Sequence, residues 1–510
     1  MSASSIISES SVNLLTLDIG TSEIKVCVFN LVGETLATNR SEITLCANGP
    51  FVELAPEAIW QAIKSGIQRI PKDLRKQIRA AAIASHGESF VALDKHQKPI
   101  SNVILNIDSR AHEEMADFAA SFGREGLYQK TGLPPHPMYT LPKIAWLRHH
   151  QPEIFDRAAR FLCVEDYVLS RFQIEPAISC SLASRTLGFD IYLGCWDEDL
   201  LQFAGISPRQ MSRVENSGEP LGPASSSVAS ELGLPPDVVW CTAGHDQACA
   251  AAGSGVLETG TIADGTGTFE CVCVPLGRPL LSPISLAANL PCECHSVPGK
   301  FLTLAYVPGG VALRWLREQR ADAPDYDVLL GGLPIEPTGI LAFPYFLGTG
   351  TPWMDSTAKA GMYGLSNDTS YRAVVQAVLE GICYEMKLNL ELLRDLGISI
   401  DKICATGGGA RSEAWLQLKS DIFGCPVVHV PGEASSRGAA MSAAIALGEY
   451  DSWDEAMAGM VERGRIFEPR SVEQVRYKEL FEKYKELADR LYGYKLPPVQ
   501  DQVHPKELTS

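Results

Sequence analysis

From residue 14 onward, short apolar runs alternate with tight polar turns. Leu14-Leu15-Thr16-Leu17 and Val26-Cys27-Val28-Phe29 flank Asp18-Ile19-Gly20-Thr21-Ser22, which predicts strand, turn and strand, and Gly33 turns the chain into a third strand. Ile59, Ile63 and Ile67 recur at helical spacing behind Pro56-Glu57, predicting a helix to about Ile70. Ile78 to Ala84 reads as a buried strand ending at Ser85-His86-Gly87-Glu88-Ser89, and Phe90 to Leu93 as the next. A helix is expected from near Ala111, which puts Asp108 at its cap. Met138 to Leu147 is amphipathic, Phe161 to Phe172 has helix character, and Ser179 to Thr186 is polar and serine-rich. Gly205 to Pro236, with its glycines and prolines, reads as a surface excursion with short strands.

Val238 to Cys241 then leads into Ala243-Gly244-His245-Asp246-Gln247, where Asp246 opens a helix of small residues running through Gly255. Thr261 to Val274 repeats the opening theme of strand, aspartate, Gly/Thr turn and strand, this time as Asp264-Gly265-Thr266-Gly267-Thr268. Two such units predict duplicated halves that face each other and grip a ligand. Tyr306 to Gly310 leads into a helix with Leu313, Trp315 and Leu316, and Tyr371 to about Arg394 forms a long helix apolar on several faces. Lys402 to Ser412 gives a strand and the turn Gly407-Gly408-Gly409, followed by a helix from Trp415 to Phe423. Pro426 to Val430 is a strand, Ala439 to Leu447 a small-residue helix, and Gln474 to Tyr492 a charged amphipathic helix. The boundaries that follow are 1–12 as a disordered N-terminus, 13–253 and 254–495 as two domains, and 496–510 as a tail.

Length agrees, since 510 residues exceed one ordinary core. With 45% apolar and 21% charged residues the composition is that of a soluble globular protein. A net charge of −17 argues against nucleic acid or an anionic membrane as partner, while a small anionic ligand held by backbone N–H groups stays compatible. Met1 to Ser10 lacks the basic start and apolar core of a secretory signal, and no apolar run reaches the ~20 residues that span a bilayer, so a cytoplasmic location is the expectation. The 14 cysteines sit mostly in apolar stretches and read as reduced, buried thiols. Cys271-Val272-Cys273 and Cys292-Glu293-Cys294-His295 would offer thiolates for zinc if their strands adjoined, but the usual two-residue spacing is missing and strand cysteines are the plainer reading.

The chemistry concentrates in a few polar residues at strand ends. A carboxylate in the first turn of a helix faces unpaired N–H groups and the positive end of the dipole, so Asp246 should stay ionised, either as a simple cap or as a base that takes a proton from a substrate hydroxyl. Such a base contributes roughly 10²–10⁴-fold in rate. The turn after Asp18 can turn N–H groups and hydroxyls towards phosphate oxygens, with Asp18 placed to hold a hydrated Mg²⁺. His86 and Glu88, at the end of a buried strand, are candidate hydroxyl contacts. Three successive glycines at 407–409 let a flat ligand lie against bare backbone.

Taken together these segments resemble the FGGY family of carbohydrate kinases from about Leu14 to Gly448. The family's first phosphate motif matches Asp18-Ile19-Gly20-Thr21-Ser22 with Lys25, its catalytic motif Gly244-His245-Asp246, and its second phosphate turn Gly265-Thr266-Gly267-Thr268. Gly310 and Gly407-Gly408-Gly409 fall where members line the nucleotide, with Ser412 where many have Asn. Two longer signatures are followed, one from Met138 through Lys143, Trp146 and Leu147 with a departure at His149, the other at Ala360, Met362, Gly364, Leu365 and Ala377-Val378-Leu379-Glu380 with a departure at Ala373.

The resemblance implies an α/β, two-domain actin-like ATPase (ribonuclease H-like) fold with an inter-domain active-site cleft, the first domain binding the sugar and the second the nucleotide. It implies Asp246 as general base, Glu88 and Asp108 beside His86 at the substrate, and ATP held by Gly20, Thr21, Ser22, Lys25, Gly265, Thr266, Gly310, Gly408, Gly409 and Ser412, with Mg²⁺ at Asp18. The partner is a small sugar or polyol, and a homodimer is allowed. Gly87 stands where glycerol kinases have arginine, which disfavours glycerol, and the Gln-x-His-Gly arrangement common in xylulose kinases is missing. A ketose, a sugar acid or a longer polyol stays open, with a pentulose such as xylulose or ribulose ranked first. The competing readings are an actin- or chaperone-like ATPase and an inactive sugar-binding relative; the presence of Asp246, Asp18 and the triple glycine favours an active kinase.

Overall fold

The computed structural model describes residues 12–333 and 336–496. The expected N-terminal segment, Val12 apart, and the expected tail from residue 497 lie outside the described residues. The chain forms two compact units: Met1–Gly255 with Glu293–Lys300 and Ser435–Val461, and Val256–Cys292 with Phe301–Ala434 and Glu462–Ser510.

In the first unit the sheet order is Val239–His245, Ile78–Ser85, Asn13–Ile19, Glu23–Asn30, Thr35–Glu42. The first three strands run parallel, and the hairpin strands pair antiparallel. Strands covered on both faces read as continuous apolar runs rather than alternating ones, which is why all seven residues of Asn13–Ile19 are buried. One face packs Leu15, Leu17 and Ile19 with Ile59, Ile63 and Ile67 of the helix Pro56–Gln68. The other packs Leu14, Ala80, Ala82 and Ala84 against Ala439, Ala440, Ala443 and Ala444.

The last four belong to the helix Ala434–Leu447, which starts five residues before its expected first residue, Ala439. Its small residues let it approach closely: a Cβ on Gly438 would land on the carbonyl oxygen of Cys249. Gly438→Val should therefore destabilise the first unit by about 1–3 kcal/mol or more, read as a lower urea midpoint at unchanged slope.

The second unit repeats the arrangement. Among the described residues its sheet runs Cys292–Cys294, Phe301–Val307, Glu270–Leu276, Gly260–Thr266, Ile400–Thr406, Val427–His429, Ile466–Phe467. Here too an antiparallel meander adjoins two parallel strands, with Gly260–Thr266 parallel to Ile400–Thr406 and that strand parallel to Val427–His429. The helix Tyr371–Asp395 is buried on several faces, as its sequence predicts.

Three expectations need correction. Phe161 to Phe172 opens not as helix but as the strand Arg160–Cys163, paired with Phe90–Leu93, before the helix Val164–Arg171. Nearly every residue of that run is buried, so neither periodicity shows in it. The excursion Gly205 to Pro236 holds a helix, Ser226–Leu232, whose N-cap Ser225 accepts from the Val228 amide. Asp108 caps no helix: the cap residue of His112–Phe122 is Ala111, and the Asp108 carboxylate turns back to accept from the Arg110 amide.

Candidate active site

Register brings the first unit's polar residues together. Ile19 lies opposite Ser85 and Ser85 opposite His245 on three parallel strands, so Gly20, His86 and Asp246 all emerge at the carboxyl edge of one sheet, where α/β folds bind ligands. Asp246 is the first residue of the helix Asp246–Gly253. The backbone leading to it is fixed by a carboxylate the sequence reading missed. Glu165 accepts from the amides of Ser179, Ala243 and Gly244 at 2.8, 3.2 and 2.9 Å, and Ser181 Oγ accepts from the His245 amide at 3.0 Å. Burial against these donors leaves Glu165 pushed up to about 7. Glu165→Ala would orphan three buried N–H groups at about 1–3 kcal/mol each. Its thermal midpoint should drop sharply, with Glu165→Gln, which keeps an acceptor oxygen, in between.

Asp246 itself is pushed up to about 6, chiefly by burial, with His245 opposing and Asp18 and Glu88 adding to the rise. The expectation from the helix dipole was a carboxylate ionised throughout; burial and two like charges move it towards working pH, where a general base is most effective. His245 Nε2 lies 3.4 Å from Asp246 Oδ1, and its Nδ1 lies 2.7 Å from Glu293 Oε1.

Glu88 is 2% exposed and held at φ 61°, a conformation that costs energy for a residue with a side chain. Arg185 Nε donates to its Oε1 at 2.6 Å, and Thr140 Oγ1 donates to its carbonyl at 3.0 Å. His86 Nδ1 meets the Ile19 carbonyl oxygen at 2.9 Å, which makes that nitrogen the donor and leaves Nε2 an acceptor. This Nε2 is buried with no protein partner, and burial holds the ring below its ordinary pKa, so a neutral His86 offers a hydroxyl an unused acceptor. Lys143, also buried, donates to the Leu105 carbonyl at 2.7 Å, and burial lowers it to about 7.

Asp108, expected at the substrate, plays a different part. It receives the Arg110 amide and Nε on one oxygen and Arg110 Nη2 and the Val52 amide on the other, which fills its acceptor positions. The guanidinium it holds lies over the rings of Phe51 and Trp146 at 4.7 and 4.8 Å. Asp108 therefore builds the wall and has no acceptor left for a ligand.

Gly20, Thr21 and Ser22 form an open turn closed by the Gly20 amide donating to the Glu23 carbonyl at 2.9 Å. Lys25, opposite Asp18 in the hairpin, brings its Nζ to 3.7 Å from Asp18 Oδ2. Asp18 is 5% exposed and close enough to Asp246 to raise it. Two neighbouring carboxylates beside a turn of N–H groups and hydroxyls fit a hydrated magnesium ion, a hard cation that takes oxygen ligands and keeps most of its water.

The second unit carries a cavity of about 420 Å³ lined by Thr266, Gly310, Gly408, Gly409, Ser412 and Trp415, among others. Its glycines have separate reasons. Gly310 lies against the Gly267 carbonyl, where no Cβ fits, Gly407 sits at φ 90°, and a Cβ on Gly409 would strike Thr266 and Trp415. A Cβ on Gly408 would meet nothing within 4 Å. Of the three in succession, Gly408 alone offers the bare, open backbone expected of a ligand platform. Ser412 caps the helix Glu413–Phe423 by accepting from the Trp415 amide at 3.3 Å. Gly265 lies within its strand opposite Cys271 and Thr406, and it is the next residue, Thr266, that reaches the cavity.

Behind this turn sits a second missed group. Lys419 Nζ donates to Thr266 Oγ1 at 2.8 Å and pairs with Asp264 and Glu270, all three buried. Its signal in the sequence is a lysine on the apolar face of Trp415, Leu416, Ile422 and Phe423. Among the described residues no group of three or more His, Cys, Asp or Glu is placed to hold a metal ion by itself. Nor is any helix there long and apolar enough to cross a membrane.

Residues 13–253 match the N-terminal domain, and residues 266–447 the C-terminal domain, of the FGGY family of carbohydrate kinases. Among curated relatives, a xylulose kinase of Bacillus subtilis (strain 168) is 28% identical over 93% of this chain and 96% of its own. A gluconokinase of the same organism is 28% identical over 88% and 90%. Among solved structures, a kinase from Brucella ovis described as a xyloylose kinase superposes with a TM-score of 0.85 at 24% identity, covering 94% of this chain and 99% of that one. The likeness shows the two-domain actin-like ATPase fold.

Proposed function

The chain belongs to the FGGY family of carbohydrate kinases, and on that premise we propose that it transfers the terminal phosphoryl group of ATP to a hydroxyl of a neutral ketose, a pentulose such as xylulose or ribulose first, with Asp246 as the base. The observation that carries the neutral substrate is the state of the cations around Asp246 and Glu88. Arg185 is held between Glu88 and Glu293, and His245 lies between Glu293 and Asp246. Lys143 is buried and lowered to about 7. A sugar acid needs an unspent cation for its carboxylate, or a buried charge goes unpaired at a cost of several kcal/mol. A ketose brings hydroxyls that donate, and His86 Nε2 and the Glu88 carboxylate supply acceptors for them.

In this reading the substrate hydroxyl donates to Asp246; as its oxygen bonds to the terminal phosphorus, the bond from that phosphorus to the bridging oxygen breaks, ADP leaves, and the O–H proton passes to the carboxylate. Asp18 would hold the magnesium ion, which when bound neutralises charge on the phosphates. Thr266 and Gly267 hold phosphate oxygens, and Gly408 meets the base of the nucleotide. Little covalent chemistry is asked of the protein, so positioning and fixed charge carry the catalysis. A screen of ADP release over ketopentoses, ketohexoses, polyols and sugar acids tests it. Turnover should be highest with a ketopentose and at least tenfold lower with gluconate; a preference for gluconate would favour the chemistry named for the gluconokinase relative and reject the neutral substrate.

A further inference from the structure

The second unit buries a lysine where its sheet and helix could have packed apolar side chains. Asp264 and Thr266 are two residues apart on the strand Gly260–Thr266, so their side chains share a face, and Glu270 stands directly opposite Thr266 on the strand Glu270–Leu276. Lys419 reaches that face from the helix Glu413–Phe423. The side chains of Lys419 and Asp264 have no exposed surface, and that of Glu270 is 1% exposed. An ammonium has three hydrogens, and three oxygens surround this one: Asp264 Oδ2, Thr266 Oγ1 at 2.8 Å and Glu270 Oε1 at 3.2 Å. Burial works against the charge of Lys419, and Asp264 and Glu270 outweigh it, holding the amine above the usual lysine range. Burial also pushes Glu270 up against the pull of Lys419, which leaves Asp264 as the main counter-charge.

Thr266 belongs both to this group and to the lining of the cavity. Its methyl is turned to the glycine run, since a Cβ on Gly409 would lie 2.4 Å from Thr266 Cγ2, and its hydroxyl is turned to Lys419. Both substituents on its β-carbon are thereby fixed, as suits a side chain stiff at χ1. An ammonium has no lone pair, so the hydroxyl oxygen accepts and its own hydrogen remains to be given. We propose that Lys419 is a positioning residue for the phosphates of the nucleotide: by donating to Thr266 Oγ1 it leaves that hydroxyl's hydrogen for a phosphate oxygen, and it screens the phosphate from Asp264. The proposal rests on the reading of Thr266 as a phosphate contact. With no exposed surface, Lys419 cannot touch a ligand in the cavity and acts through the threonine. Without it, the hydroxyl is left with the Asp264 carboxylate on its own face, gives its hydrogen inward and turns its lone pairs on the phosphate. Two oxygens with no hydrogen between them repel.

Calorimetric titration with ADP and with adenosine tests this, because the two share base and sugar and differ in the phosphates. Thr266→Val should weaken ADP about tenfold, the worth of one hydrogen bond to a charged group, and leave adenosine within about twofold. Thr266→Ser, which keeps the hydroxyl, should restore most of the ADP affinity. Lys419→Met should show the same loss as Thr266→Val, again confined to ADP. Should the bare Asp264 keep that variant from folding, Lys419→Met with Asp264→Leu and Glu270→Leu takes its place, since a buried ionic group exchanged whole for apolar side chains is commonly tolerated. Adding Thr266→Val to this triple variant should cost less than about twofold more, because both changes remove the same hydrogen bond. A folded Lys419 variant that binds ADP as the wild type does overturns the proposal, and so do losses that simply add to that of Thr266→Val. Equal losses of ADP and adenosine overturn it too, and make Lys419 a packing residue of the cavity wall. ADP binding unmoved by Thr266→Val rejects the phosphate reading of Thr266, and the proposal with it.

Discussion

Asp246→Asn should lower kcat by about 10²–10⁴-fold, the usual worth of a positioned general base. The amide has the size of the carboxylate and can still accept a hydrogen bond from a hydroxyl, so substrate affinity should change little. What it cannot do is take the proton, and the attacking oxygen then stays a poor nucleophile. Folding should survive and even gain slightly, because burial, Asp18 and Glu88 all oppose the charge of the wild-type carboxylate. Steady-state kinetics beside a thermal melt checks both halves. A loss of activity accompanied by a collapsed melting transition would make Asp246 a structural residue.

Gly408→Leu should weaken ATP binding on the order of 100-fold, about 2.7 kcal/mol. The backbone accepts the change, since Gly408 sits at φ −62° and its Cβ would meet nothing within 4 Å. The added side chain has the cavity as its open direction. Its neighbour provides the contrast: Gly409→Ala puts a Cβ against Thr266 and Trp415, so the protein itself should suffer, with a lower melting temperature. Calorimetric titration with ADP separates them. Gly408→Leu loses affinity at a normal melting temperature, and unchanged ADP affinity would remove Gly408 from the nucleotide site.

The local structure was legible wherever one short stretch carried it. Asp18-Ile19-Gly20-Thr21-Ser22 folds as the predicted hairpin turn, Asp246 opens the predicted helix, and the repeat of strand, aspartate and Gly/Thr turn reappears as two sheets of like order. Residues that act across long separations were not legible. Arg185 sits in a stretch that reads only as polar and serine-rich, yet it binds Glu88, 97 residues away. Glu293 was passed over because the cysteines on either side drew the reading towards metal; a carboxylate in the middle of a fully buried strand was the stronger signal, since such a charge requires a partner. Asp108 misled for the opposite reason. An aspartate at the end of a polar loop looks available, and only its four hydrogen bonds reveal that it is spent on Arg110 and Val52. The returns of Glu293–Lys300 and Ser435–Val461 to the first unit were hidden in the same way, because sequence order says nothing of which core a segment joins.

The most direct test of the whole account is the pH dependence of kcat/KM for an accepted ketose, measured on the wild type and Asp246→Asn side by side. Asp246 is pushed up to about 6, so wild-type activity should be full well above that pH and fall tenfold per unit as pH drops below it. The residual activity of Asp246→Asn should lack that limb. A variant that keeps the limb, or that works at close to the wild-type rate, would contradict the assignment of Asp246 as the base.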